Sequence, residues 1–271
     1  MRYLGAAVTI LALSGAAGAE LATKTVDRVC GEAVHGSSMT DRQAKQAALD
    51  DARALAVEQA AGVEVRSAGQ YQSSLERVHF LLTLSKGYIV REEILERTVE
   101  PYQRRVQDAP VLKHRACIRA EVAVLPQASD PGFGVEATLN RTAFEEGDEA
   151  VLEISARRPS WVYVFNLRAD DKASLLFPNR WQMENRVEAG KKLLFPAKDC
   201  GVRLEMRPLP GDPESAEAFL VVAFPEKKSI AERIVPEKQY ALSEFYNHLT
   251  AFPLGTAAVK MVPYTVKARP R

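Results

Sequence analysis

Three cysteines, two tryptophans and four histidines are all that the 271-residue chain holds of the residues that most often mark a chemical site. No two of the histidines, His35, His79, His114 and His248, stand four residues apart, and none has a cysteine or carboxylate beside it at zinc spacing. A metal site of the usual kind is therefore not expected. Also missing are a Gly-x-Ser-x-Gly elbow, a phosphate-cradling glycine loop and a Cys-His pair with an orienting third group, so no cofactor is expected and any catalytic residues would be dispersed. The charge is balanced, with 36 Lys and Arg against 35 Asp and Glu. Without a basic footprint, nucleic acid and anionic membrane surfaces are disfavoured as partners. Past the N-terminus no run is apolar and long enough to span a bilayer, and there is no internal repeat or low-complexity tract.

What the N-terminus does have is the pattern of a leader. Arg2 precedes an apolar run from Leu4 to Leu13, and small residues close it at Ala17-Gly18-Ala19. This pattern predicts a secretory signal peptide over residues 1–19, with the mature chain starting at Glu20 in a periplasmic or secreted location. An uncleaved anchor is the competing reading, but the run is shorter than the roughly 20 residues a spanning helix needs. No cysteine follows the small residues, so nothing marks a lipoprotein site. Loss of Arg2 takes the formal charge from +1 to zero. About 250 residues remain, enough for two domains.

The first domain is expected over residues 20–126 as an α+β unit, one helix on a small antiparallel sheet. Thr40 with Gln43 three residues on forms a capping box, and Gly62 is a C-terminal stop. Between them Ala44, Ala48, Ala52, Leu55, Ala56 and Gln59 recur at helical spacing, a stripe so small that the helix should lie close against strands. Strands are predicted at Val29 to Ala33, at Ala116 to Val124, at Tyr88 to Thr98 and in a short run at Val63 to Val65. Turn formers at residues 127–134 mark a linker.

From residue 135 to 271 the pattern becomes mostly β, with short strands separated by turn signals, and predicts a β-sandwich. Trp161 to Phe165 is apolar on both faces, as a central strand would be, whereas Val202 to Met206 alternates as a half-wet strand does. Leu242, Phe245, Tyr246, Leu249 and Phe252 predict one amphipathic helix before a last strand at Ala257 to Val266.

Cys30 and Cys117 both occupy the polar register of their strands. If those strands are neighbours, the sulfurs face one side and can form a disulfide in an exported chain; otherwise they are two unpaired thiols. Cys200 is left over, either a quiet turn residue or a thiol open to another chain. Glu145, Glu146, Asp148 and Glu149 lack the alternation of a calcium loop and are read as a turn tipped by Gly147. Asn140-Arg141-Thr142 fits a glycosylation pattern that a bacterial host would leave idle. In Leu175 to Trp181 proline ends a strand, so Phe177 should be core, and Arg180 and Trp181 just beyond are the candidate partner contact. Trp181 folded back over the sandwich edge is the alternative.

The motifs Phe144-Glu145-Glu146-Gly147-Asp148, Trp161-Val162-Tyr163-Val164-Phe165-Asn166, Leu175-Leu176-Phe177-Pro178-Asn179 and Asn185 to Gly190 are carried on through Phe195-Pro196-Ala197 and Phe219 to Ala223. Through them the second domain resembles the bacterial family catalogued as domain of unknown function four-three-eight-four. The first domain is similar, through Ala47 to Val65, Ser85-Lys86-Gly87-Tyr88-Ile89 and Ile118 to Val122, to the first domain of flagellar assembly protein T and related envelope proteins. These resemblances imply a non-catalytic interaction or assembly module whose partner is another envelope protein, and they carry no catalytic residues. The alternatives are a small-molecule or glycan-binding sandwich, which would need Trp161, Trp181, Tyr163 or Tyr240 exposed on one concave face, and a hydrolase with dispersed catalytic residues.

Overall fold

The computed structural model describes residues 21–35, 39–65, 75–103, 105, 107–126 and 129–269; the predicted signal peptide and Glu20, and part of the 127–134 linker, lie outside them. The first part of the chain runs β1 (Thr23–Val34), α1 (Asp41–Ala61), α2 (Leu75–Thr83), β2 (Gly87–Tyr102) and β3 (Val111–Val124). Its antiparallel sheet has the order β1-β3-β2, so β3 is central. The predicted helix is α1: the Thr40 side chain accepts from Gln43 N while the Gln43 side chain accepts from Thr40 N, and Gly62 closes the helix in the left-handed region at φ 69°. That reciprocal cap and the glycine satisfy backbone groups that a helix end otherwise leaves unpaired.

The small stripe of α1 has the consequence expected of it. Ala48, Ala52, Ala56 and Ala60 are buried on the sheet with Ile118, Ala120 and Val122 of β3, and Ala44 is buried too, whereas Leu55 of the expected stripe is half-buried and Gln59 exposed. On β1 the approach is closest at Gly31, where a Cβ would come within 2.1 Å of Ala52 N and 2.5 Å of the Ala48 carbonyl oxygen. Only a hydrogen fits there.

Two expectations for this part need correction. Val63 to Val65 is not a strand, because its donors turn back to the helix end: Val63 N donates to the Glu58 carbonyl and Val65 N to the Glu58 carboxylate. The second correction is α2, a helix where a single one was expected. Its buried residues include Arg77 beside Val78, Phe80 and Leu81, and that charge breaks the apolar period by which a helix is recognised.

The second part is mostly β, as expected. It comprises β4 (Val135–Leu139), β5 (Ala143–Glu145), β6 (Glu149–Ala150), β7 (Leu152–Ala156), β8 (Ser160–Leu167), β9 (Lys172–Phe177), β10 (Arg186–Val187), β11 (Lys192–Phe195), β12 (Leu204–Glu205) and β13 (Glu214–Phe224). After these come α3 (Ile230–Arg233), β14 (Tyr240–Ala241), α4 (Leu242–Leu249) and β15 (Ala258–Lys267). The large sheet has the order β14-β9-β8-β13-β15-β5, with β10 also on β8, and the small one β11-β7-β4. Val162, Val164, Phe219 and Val221 of the large sheet meet Leu152, Ile154 and Val135 of the small one in the sandwich core. Tyr163, Phe165, Leu220 and Val222 point from the other face into a different cluster, which explains why β8 and β13 are apolar on both sides. The half-wet strand at Val202 to Met206 shrinks to the two residues of β12, paired only with β6.

That different cluster belongs to both parts of the chain. Ala54, Phe80, Leu81, Leu84, Tyr88 and Leu125 pack in it with Phe165, Leu175, Leu220 and with Phe245, Tyr246 and Leu249 of α4. Tyr88 and Tyr246 stack with ring centroids 4.9 Å apart, the Tyr88 hydroxyl donates to Asn247 Oδ1 at 2.8 Å, and the Tyr246 hydroxyl to the Leu84 carbonyl at 2.9 Å. Beside the apolar contacts lies an ionic network. Arg77 donates to Asp171 Oδ1 at 2.7 Å and to the Arg168 carbonyl at 2.7 Å, and Arg53 donates to Asp171 Oδ2 at 3.1 Å and to both oxygens of Glu92. Asp50, 1% exposed, accepts from Gln46, Arg53 and Arg77.

The contact at Gly31 is testable. Gly31→Ala forces backbone apart from backbone, so urea unfolding should show a loss of at least about 1–3 kcal/mol, the range for overpacking a core. A variant as stable as the parent would mean that α1 does not lie this close.

Candidate functional site

The turn after β9 is built from its own sequence. Phe177 is fully buried and meets Phe195 with ring centroids 5.3 Å apart, and the peptide bonds to Pro178 and Pro196 are both cis. Proline has no N–H, so the ladder ends there. Asn179 then organises the turn: its Oδ1 accepts from Trp181 N at 3.0 Å and Gln182 N at 2.9 Å, and its Nδ2 donates to the Leu176 carbonyl at 2.7 Å. Gln182 ties the turn to β11, donating to the Leu194 carbonyl and accepting from Ala197 N, each at 3.0 Å.

Arg180 and Trp181 stand out from this fixed base. Trp181 is 46% exposed, and the Arg180 guanidinium lies over its ring at 4.0 Å while its Nε is 3.7 Å from Glu237. One face of the indole is thus covered by a guanidinium while nearly half of the side chain meets solvent. Next to the pair is a groove of about 510 Å³. Pro178, Pro236 and the exposed Met183 give it apolar walls, and Arg180, Lys227 and Lys228 give it positive charge against the single acid Glu232. Its floor is rigid. The Tyr163 hydroxyl accepts from Lys228 N at 2.9 Å and donates to the Lys228 carbonyl at 2.6 Å, and buried Asn185 donates to the Val162 carbonyl at 3.1 Å.

A second concavity, of about 390 Å³, lies over the large sheet and holds a polar trio that the sequence did not disclose. Glu217, 5% exposed, accepts from Asn166 Nδ2 at 3.1 Å and from the Tyr264 hydroxyl at 2.9 Å, and that hydroxyl lies 2.8 Å from Asn166 Oδ1. Burial pushes the Glu217 carboxyl above the ordinary glutamate range, opposed by these hydrogen bonds and by the charge of Arg168, and burial and Glu217 push the Tyr264 phenol well up. The three polar groups satisfy one another. What they offer chemically is a buried acid, with neither a nucleophile nor a general base aimed at open space.

The other sequence candidates fall elsewhere. Cys30 and Cys117 face each other across β1 and β3 and are joined as a disulfide, on the sheet face away from α1; Cys117 is fully buried although its register reads as polar. Cys200 is a half-buried free thiol whose Sγ lies 3.8 Å from the Val202 carbonyl. Asp148 closes its turn by accepting from Glu145 N and pairing with Arg141, so the acidic cluster is the expected turn with Gly147 at φ 89°. The aromatic platform that a glycan site would need is not assembled: Tyr163 and Tyr240 are each 2% exposed, and Trp161 is half-buried beneath Arg186. Of the four aromatic residues only Trp181 is exposed. Among the described residues one trio has metal-ligand proximity, His35, Asp41 and His114, on the first sheet and away from both concavities.

A family model described as Domain of unknown function (DUF4384) matches residues 143–223. The match runs from β5 almost to the end of β13, and takes in the Pro178–Trp181 turn, Tyr163, Asn166 and Glu217. The β1-β3-β2 sheet and Tyr264 lie outside it. No match to the chain is found among curated proteins.

The raised Glu217 carboxyl makes a pH prediction. Folded protein holds that proton to higher pH than the unfolded chain, so folding takes up a proton across the window between the two values, and stability falls as pH rises through it. In Glu217→Gln this contribution is gone. Urea unfolding between about pH 4 and about pH 7 should show the variant gaining on the parent as pH rises from the ordinary carboxylate range. A difference that does not change with pH would contradict the assignment.

Proposed function

We propose that this chain is a non-catalytic, exported interaction module of the bacterial envelope, and that it takes hold of another envelope protein at the groove beside Arg180 and Trp181. In this reading residues 20–126 are the assembly-like domain, 127–134 the linker and 135–271 the recognition domain. The observation that carries it is an arginine stacked on an exposed tryptophan, held on a turn whose base is fixed by Asn179 and Gln182. Arginine and tryptophan are enriched among the residues that dominate interface energy, and a turn that is already ordered loses little entropy on binding.

Charge and shape choose the kind of partner. Apolar walls with Arg180, Lys227 and Lys228 at the rim suit a protein segment that presents an apolar side chain next to a carboxylate. A disulfide is compatible with export to an oxidising compartment, and no described helix is long and apolar enough to cross a membrane. The likeness of the first domain to that of flagellar assembly protein T supports an assembly role.

The test is a photo-crosslinking residue in place of Met183, which is 76% exposed, in cells grown with the full chain. The expected product is one discrete adduct with an envelope protein, on a chain whose intact mass begins at Glu20. Arg180→Glu with Trp181→Ala should abolish that adduct while shifting stability by less than about 1 kcal/mol, as surface changes do. An adduct that survives both substitutions, or a Trp181→Ala protein that unfolds, would contradict the proposal.

A further inference from the structure

The first sheet ends in a cluster that its fold role does not require. His35 follows β1, its N–H bonded to the Leu112 carbonyl at 2.8 Å; Asp41 is the first residue of α1; and His114 sits on β3 opposite Ala33, on the face covered by the helix. His35 and Asp41 flank one connection, and His114 comes from a remote point of the sequence. Yet each places one ligand atom within 4.8 Å of the others.

His114 makes the cluster more than a coincidence of polar residues. It is 2% exposed, and neither ring nitrogen has a hydrogen-bond partner among the described residues; Asp41 Oδ1 lies 3.6 Å from Nε2. An imidazole buried without partners is costly, and such groups in native structures call for an explanation.

The neighbours are placed as outer-shell groups are. His35 Nε2 lies 2.6 Å from the Met39 carbonyl, a contact in which it donates its proton and so leaves the lone pair on Nδ1. Lys45 Nζ holds Asp41 Oδ2 at 2.6 Å and leaves Oδ1 on the His114 side. Two imidazoles and one carboxylate, with a side open to water at the half-exposed Asp41, form the ligand set of a borderline divalent ion with an open position. Ligands about 2.0–2.2 Å from such an ion are roughly 3.5 Å from one another, so the trio must close by only about an ångström.

We propose that His35, Asp41 and His114 form a binding site for a divalent transition-metal ion of the zinc class, seated where β1, β3 and the start of α1 meet.

The experiment uses the full mature chain, purified without a polyhistidine tag and stripped with a chelator, titrated with Zn2+ by calorimetry and with Co2+ by visible absorption. The expected result is about one ion per chain and a Co2+ ligand-field band of nitrogen and oxygen ligation. Asp41→Asn and His35→Ala, both at incompletely buried positions, should each weaken Zn2+ binding by more than about 100-fold, beyond the 10- to 100-fold typical of losing an outer-shell partner. They keep the test independent of His114→Ala, which empties a buried site. His79→Ala, His248→Ala and Cys200→Ser should bind as the parent does. Absence of binding, or binding that survives Asp41→Asn and His35→Ala, would overturn the proposal.

Discussion

A guanidinium buried between two sheets has to be met by carboxylates, and Arg77 is met from both sides. Asp50 approaches it from α1 and Asp171 from the turn between β8 and β9, where the chain accepts a left-handed residue at φ 58°. Burial works against the charge of every member. It raises the Asp50 carboxyl despite the two arginines, whereas Arg77 and Arg53 hold Asp171 below the ordinary range in spite of its burial. Asp50 Oδ2 and Arg77 Nε have no hydrogen-bond partner among the described residues. Replacing such a pair by apolar residues can be neutral, but removing one partner strands the other, at about 3–5 kcal/mol. The network is therefore best understood as fixing one arrangement of the two parts, and Phe80, with Arg53 and Arg77 both over its ring, joins it to the apolar cluster.

The consequence for function is rigidity. α2 and α4 pack between the β1-β3-β2 sheet with its helix α1 and the large sheet, so the Arg180–Trp181 turn and the His35–Asp41–His114 cluster are carried on one continuous body. The disulfide adds to this on the β1-β3-β2 sheet. It joins β1 to β3 only three residues from His114 and closes a loop across a sequence separation of 87, of a length that restricts the unfolded chain by about 4–5 kcal/mol in the entropic account.

Much of this architecture was legible because local signals agreed with the final packing. Thr40, Gln43 and Gly62 bound α1, the alanine stripe announced its close seat on β1, and the double-sided apolar run at Trp161 to Phe165 marked a central strand. Buried Phe177 followed from one proline, whereas the sequence leaves the placement of Trp181 open. What could not be read depended on partners far away in sequence. Arg77 disguised α2, because a buried charge counts as polar until Asp171 is seen beside it. Glu217 looks like an interruption in an apolar strand until the fold brings Asn166 and Tyr264 to it. The histidine and aspartate trio spans β1, α1 and β3, and no spacing rule links three elements whose adjacency is created by the sheet.

The central claim is that the shared core and its ionic network make the two parts one cooperative unit. Both tryptophans, Trp161 and Trp181, lie in the second part, so their fluorescence reports on that part, while hydrogen exchange across residues 41–61 follows α1 in the first. Urea unfolding read by both probes should give one coincident transition in the parent protein, and Arg77→Ala should lower both midpoints together. Separate midpoints for α1 and for the tryptophans in the parent would contradict the account.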